Sequence, residues 1–190
     1  MIGRLVSLTL VLAVTACGYQ PPLPSPAPSP SPAACPAGGL AFSAAGGDAA
    51  MGLRVLVLRM DNCGTEPYAV EGYPDLKLLD EDGRVLDVRV LRGSKEISTV
   101  ESFEVPPTPV TLQPGDAATT GLVWRNTYDD TTNPPQVGVR IDIAPLAGRP
   151  RQTFTPHLGP DGAPGGAESN PVTIDLGSTG KLGVSPWTKS

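Results

Sequence analysis

Histidine occurs once in this 190-residue chain, at His157, and cysteine three times, at Cys17, Cys35 and Cys63. Charged residues make up only 17%, and lysine and arginine form no cluster. Nucleic-acid binding draws on a basic patch, so it is set aside. A polybasic grip on anionic lipid head groups is unsupported for the same reason. Long apolar runs are missing too. A membrane-spanning helix needs about 20 apolar residues, and the best internal run, residues 53–60, is interrupted by Arg54 and Arg59. What the chain has in abundance is proline (23) and glycine (22). Proline removes a backbone donor and glycine costs a helix about 1 kcal/mol, so the balance favours a turn-rich β protein. Apolar content of 39% is ordinary and supports one globular core.

The first residues read as an export signal. Arg4 supplies a positive charge, and residues 5–14 (LVSLTLVLAV) form an apolar run too short to remain as an anchor. Val14-Thr15-Ala16-Cys17 follows, with a small residue just before a cysteine. This resembles the lipobox of bacterial lipoproteins, in which the cysteine sulfur receives a diacylglyceryl group before cleavage. The resemblance implies a signal peptide over residues 1–16 and Cys17 as the lipid-attachment site and mature N-terminus. Val14 stands where the lipobox usually has Leu. An ordinary secretory signal cut after Ala16 is the alternative. Two acyl chains anchor stably where one is marginal, at roughly 0.8 kcal/mol per buried methylene. On the lipobox reading, the protein is held on the extracytoplasmic face of a cell membrane. Removing Arg4 leaves 13 basic against 19 acidic residues, a mature net charge of −6.

Residues 17–34 place a spacer after the lipidated cysteine. Seven of the seventeen residues in 18–34 are proline, so this stretch favours extended polyproline II at about 3.1 Å per residue, roughly 50 Å in all. From Cys35 onward the apolar period is two. Val137, Val139, Ile141 and Ile143 alternate with polar residues and glycine, as do Leu86, Val88 and Val90, and Val172, Ile174 and Leu176. Residues 53–60 are apolar on both faces except at the arginines, which suits a central strand. Asp80-Glu81-Asp82-Gly83 predicts a hairpin between residues 76–79 and 85–91. Gln113-Pro114-Gly115-Asp116 predicts a second turn. Short strands at this spacing, with no amphipathic helix, predict an all-β antiparallel sandwich over residues 35–190. Phe42, Tyr73, Phe103, Trp124, Phe154 and Trp187 are the expected large core pieces.

With Cys17 lipidated, Cys35 and Cys63 remain, and outside the membrane an even remainder is expected to be oxidised. Their bond would close a loop of about 29 residues, worth about 3–4 kcal/mol in the chain-entropy model. Two free thiols or a metal pair is the other option, although no further ligand sits at a metal-like spacing.

Several pieces, in order, carry a family resemblance. They are Cys35 and Leu40, Asp61-Asn62-Cys63-Gly64, Val70-Glu71-Gly72-Tyr73-Pro74, Leu78-Leu79-Asp80, residues 110–115, Leu122-Val123-Trp124 and Leu182-Gly183-Val184-Ser185-Pro186. Over about residues 35–187 the chain resembles the actinobacterial lipoproteins that carry the domain of unknown function 4232. The resemblance implies an immunoglobulin-like sandwich and a bridge between Cys35 and Cys63, and it brings no activity and no catalytic residues.

Chemistry has little to work with. His157 lies in a Pro- and Gly-rich stretch with no nucleophile-elbow motif, and reads as a solvated loop residue. Asp129 and Asp130, beside Asn126, could offer oxygens to calcium, but Asx-rich turns between strands are commoner and the EF-hand spacing is absent. No cofactor and no catalytic residue is called for. The expected function is a non-catalytic binding or interaction module with a protein or cell-wall partner. The alternative is a small-ligand or metal-binding lipoprotein serving a transporter, supported by Trp124, Tyr128, Asp129 and Asp130 grouped at a strand end.

Overall fold

A computed structural model describes residues 35–164 and 169–190. The expected signal peptide, Cys17 and the spacer lie outside the described residues. The two longest strands, β1 (Leu40–Ala50) and β2 (Leu53–Asn62), form a hairpin through Met51-Gly52. Both turn residues have positive φ (46° and 79°), the handedness that matches the twist of paired strands. β2 then pairs along its whole length with β7 (Ala117–Arg125). The other edge of β7 carries β14 (Lys181–Val184) and β15 (Thr188–Lys189), and β14 pairs in parallel with β5 (Arg89–Arg92), the terminal strand.

A second layer joins β10 (Gln152–Phe154), β9 (Arg140–Ala144) and β4 (Asp75–Leu79) in that order. Short two-stranded ladders complete the fold. β3 (Tyr68–Val70) pairs β6 (Val110–Leu112), β8 (Val137–Gly138) pairs β13 (Ile174–Asp175), and β11 (His157–Leu158) pairs β12 (Asn170–Pro171). Leu56, Leu58, Met60, Leu122 and Trp124 from the large sheet meet Leu76, Leu78, Ile141 and Ile143 from the three-stranded one in a single buried cluster. The chain is therefore an all-β sandwich, as expected, with β2 in the predicted central position. No helix among the described residues is long and apolar enough to cross a membrane.

The expected disulfide is present, with Cys35 and Cys63 Cα atoms 5.6 Å apart. Beside it, buried Asn62 donates to the carbonyls of Glu66 and Leu112 and accepts from the Gly64 amide. This accounts for the Asp61-Asn62-Cys63-Gly64 motif, because a buried amide left unpaired would cost about 1–3 kcal/mol.

Three expectations are corrected. The acidic turn forms, with Gly83 at φ 83° and its amide on the Asp80 carbonyl, but of residues 85–91 only Val85 and Leu86 return beside β4, the Leu86 amide donating to the Leu78 carbonyl at 3.0 Å. After a single bridge, Leu79 to Val85, the chain crosses to the opposite layer and becomes β5. Leu86 and Val88 pack against the core during that crossing. The resulting β5–β14 pair is parallel in an otherwise antiparallel sandwich.

At residues 137–143 the alternation breaks its phase. Gly138 is buried where Val137 and Val139 were expected inside. A Cβ on Gly138 would lie 3.0 Å from the Leu78 Cβ, so only a glycine fits there without displacement. The inward pattern resumes at Ile141 and Ile143. Within residues 172–176 only Ile174–Asp175 is strand, the short β13, although Ile174 and Leu176 are fully buried as expected.

Trp187, Trp124 and Phe103 are buried, whereas Phe42, Phe154 and Tyr73 are only half-buried. Phe103, from a short 3-10 turn (Glu101–Phe103), covers the outer face of the large sheet. Its ring sits where a Cβ on Gly121 would come within 2.6 Å.

Trp187 reaches the interior through a bulge. Between the pairs Val184–Leu122 and Thr188–Thr119, residues 185–187 stand opposite only Gly121 and Thr120. Ser185 holds the bulge by accepting from the Gly121 amide and from the Thr120 hydroxyl. The turned-in indole, 0% exposed, donates from Nε1 to the Pro145 carbonyl at 2.8 Å, and its backbone amide donates to the Gly72 carbonyl at 2.9 Å. Trp187→Phe removes the indole bond and part of the ring volume while keeping an aromatic ring, and is expected to lower unfolding free energy by about 1–3 kcal/mol. Trp187→Ala also opens a cavity and is expected to cost about 3–5 kcal/mol. Urea titration of both variants checks the order and the sizes.

Candidate functional site

The two carbonyls that Trp187 binds belong to the two loops that wall a surface cleft of about 670 Å³. One wall is the Gly72-Tyr73-Pro74 turn. Gly72 has φ 121°, and a Cβ there would touch Leu146 at 3.4 Å, so glycine lets the turn lie close to the opposite wall. That opposite wall is Leu146 and Ala147, just after buried Pro145. The remaining side is the terminal strand β5, through Val90, Leu91 and Arg92.

The Arg92 guanidinium sits over the Tyr73 ring, 5.5 Å from its centroid. A cation held over an aromatic face gains about 0.5–1 kcal/mol at an exposed site, so the pair orients both side chains without an ion pair. Glu71 and Asp75 add negative charge to the cleft. Asp75 is bound to Arg151 at 2.6 Å, and Arg151 also contacts Asp142 at 2.8 Å, so that carboxylate is fixed. Among the described residues no His, Cys, Ser, Thr or Lys lines the cleft. It presents an aromatic face, a guanidinium and carboxylates beside the terminal strand of the sheet.

The end of β5 is fixed by Glu104. Its Oε1 accepts from the Ser94 amide (2.7 Å) and hydroxyl (2.9 Å). These two bonds, the amide bond first, hold the Glu104 carboxyl below its ordinary range, with Lys95 adding a smaller share.

The other candidate residues are placed apart from this cleft. His157 is not in a loop but begins the two-residue strand β11. It is exposed, with Nδ1 against the Thr155 carbonyl at 2.9 Å. Trp124 is buried in the core, whereas Tyr128 is exposed and bonds Asp175, so the expected group at the strand end does not assemble. Asp130 accepts from the amide and hydroxyl of Thr132, bonds that lower its carboxyl pKa. Asp129 accepts from the Ser178 hydroxyl. The Asp130 carboxylate is a turn cap, and the Asp129 carboxylate ties this turn to the Ser178 segment. Among the described residues no group of three or more His, Cys, Asp or Glu is placed to hold a metal ion.

Tyr73 was read as core and Arg92 was not singled out. The flanking Gly72 and Pro74 are turn residues and could have marked Tyr73 as a loop aromatic. No local signal joins it to Arg92.

Fold and cleft together define an all-β sandwich with a cleft at one sheet edge. Residues 35–188 match the family described as Domain of unknown function (DUF4232), and the chain belongs to it. No curated protein and no solved structure was found to match the chain.

A carboxyl with a lowered folded pKa contributes stability above its unfolded pKa and loses it as pH falls through the folded value. Amide protection at residues 93–95 is therefore expected to fall as pH drops below the ordinary carboxylate range. In Glu104→Gln that protection is expected to be weak already at neutral pH and to lack the acid-linked change. Protection factors from hydrogen exchange read both.

Proposed function

We propose that this protein is a lipoprotein of the actinobacterial kind, anchored through Cys17 on the extracytoplasmic face of a cell membrane. There it displays the sandwich as a non-catalytic interaction module. The anchor is supported by the run of ten apolar residues ending at a small residue and a cysteine, followed by a proline-rich stretch suited to a stalk. The observation that carries the interaction reading is the cleft beside β5. A strand edge with no neighbour on its outer side among the described residues lies next to an oriented Tyr–Arg pair, and Val90 is 38% exposed within it.

An extended segment of a partner protein could extend the sheet through main-chain hydrogen bonds, while Tyr73 and Arg92 select its side chains. Tyrosine and arginine are also the residue types that most often dominate interface energies.

Two measurements test the two halves separately. Cys17→Ala is expected to abolish acyl labelling and remove the protein from the membrane fraction. Unchanged membrane retention would overturn the anchor. A photo-crosslinking side chain at position 90 is expected to capture a discrete protein partner in intact cells, and one at Val85, exposed but outside the cleft, is not. The capture is expected to disappear with Tyr73→Ala and Arg92→Ala. Equal products at both positions, or products indifferent to those substitutions, would defeat the docking reading.

A further inference from the structure

The two arginines that interrupt the central strand have different fates. Side chains alternate across a strand, and positions 54 and 59 differ by an odd number, so they point to opposite faces. Arg59 is on the outer face and is paired with Asp61 at 2.8 Å. Arg54 shares the inward face with Leu56, Leu58 and Met60, opposite Trp124 of β7 in the pairing register. It is half-buried and has no carboxylate within ion-pair distance among the described residues. Among the described residues its side chain donates one hydrogen bond, to the adjacent Leu53 carbonyl at 3.3 Å.

This guanidinium opens into a second cleft of about 520 Å³, lined by Trp124, Leu158, Val172, Thr173 and the glycine-rich segment after Leu158. The cleft is built rather than incidental. The Gly47 amide donates to the Gly162 carbonyl at 2.9 Å, and a Cβ on Gly162 would come within 2.6 Å of the Gly47 carbonyl oxygen. The loop therefore closes on β1 backbone to backbone. Two acids also line the cleft, and neither neutralises Arg54. Asp48 pairs in register with Val55, so it belongs to the outer face, and it caps the Ala49 amide. Asp161 caps the Ala163 amide within the loop.

We propose that this cleft binds a small organic carboxylate with a flat apolar body. The carboxylate would be taken by Arg54 and the body would lie among Trp124, Leu158 and Val172. A guanidinium with no carboxylate partner among the described residues, beside a largely apolar cleft, offers the forked donor geometry that a carboxylate fills. The volume lies in the range of small-molecule sites, 300–1,000 Å³ or thereabouts. This site is separate from the cleft at Tyr73 and does not depend on a partner docking there.

The probe is indole-3-acetate, compared with its uncharged isostere indole-3-acetamide, titrated calorimetrically into the full chain in detergent. The carboxylate is expected to saturate and to bind roughly tenfold or more tightly than the amide. That preference is expected to vanish in Arg54→Gln, to survive in part in Arg54→Lys, and to be unchanged in Arg59→Gln. An arginine that merely extends to solvent predicts a ratio near one in the unmodified protein, and that result overturns the proposal whatever the variants do. Equal carboxylate affinity in Arg54→Gln, or no saturation by indole-3-acetate at millimolar concentration, overturns it as well.

Discussion

The placement of Trp187 governs this structure. Its indole and its backbone amide bind carbonyls on two different loops, Pro145 and Gly72, and the ring has no exposed surface. Both bonds run between buried or half-buried groups, where an unpaired carbonyl is costly. The residue can reach them only because the bulge at 185–187 inserts one extra residue opposite β7. The Ser185-Pro186-Trp187 run therefore joins sheet geometry to cleft geometry. The side chains that face solvent in the cleft, Tyr73 and Arg92, take no part in that support. Their identity can change while the walls stay in place.

Glycine does comparable work where layers approach closely. Gly121 admits the Phe103 ring onto the outer face of the large sheet, and Gly183 leaves no room for a Cβ beside the Gly93 carbonyl, at 2.6 Å. Gly138 does the same under Leu78 on the opposite layer. With three phenylalanines and two tryptophans in the whole chain, core volume is limited. Contacts at such short range recover dispersion that larger side chains would otherwise supply.

How far the sequence was legible follows from which forces are local. Alternation identified Ile141 and Ile143 of β9 and the burial of Ile174 and Leu176, because a period of two is written directly in the residues, while the run apolar on both faces placed β2 inside its sheet. The Asp80-Gly83 and Gln113-Asp116 turns were legible for the same reason. The path of residues 85–92 was not. A tight turn is consistent both with pairing back on β4 and with crossing to the other layer, and only packing of Leu86 and Val88 between the layers decides. Gly138 misled the alternation because a glycine under Leu78 counts as a gap in the apolar pattern while being an inward position. In the cleft, Gly72 and Pro74 were visible as turn residues, but Arg92 meets Tyr73 only through tertiary structure.

The arginines show how one residue type divides between support and recognition. Arg151 links Asp75 and Asp142 across β4 and β9, and Arg59 and Arg84 each have a carboxylate within 3 Å or so. Pairs as exposed as those of Arg59 and Arg84 contribute about 0–1 kcal/mol, so their main effect is to occupy the charge and fix the side chain. Arg54 and Arg92 lack such a partner among the described residues, and each lines a cleft beside an aromatic residue, Trp124 in one and Tyr73 in the other. A guanidinium in that position keeps its donors available at little cost to the fold, because its hydrocarbon stem can still pack against apolar neighbours. Arg125 and Arg140 also have no carboxylate partner among the described residues, but they direct their donors to backbone carbonyls, so it is the cleft beside an aromatic residue, and not the missing acid alone, that sets Arg54 and Arg92 apart.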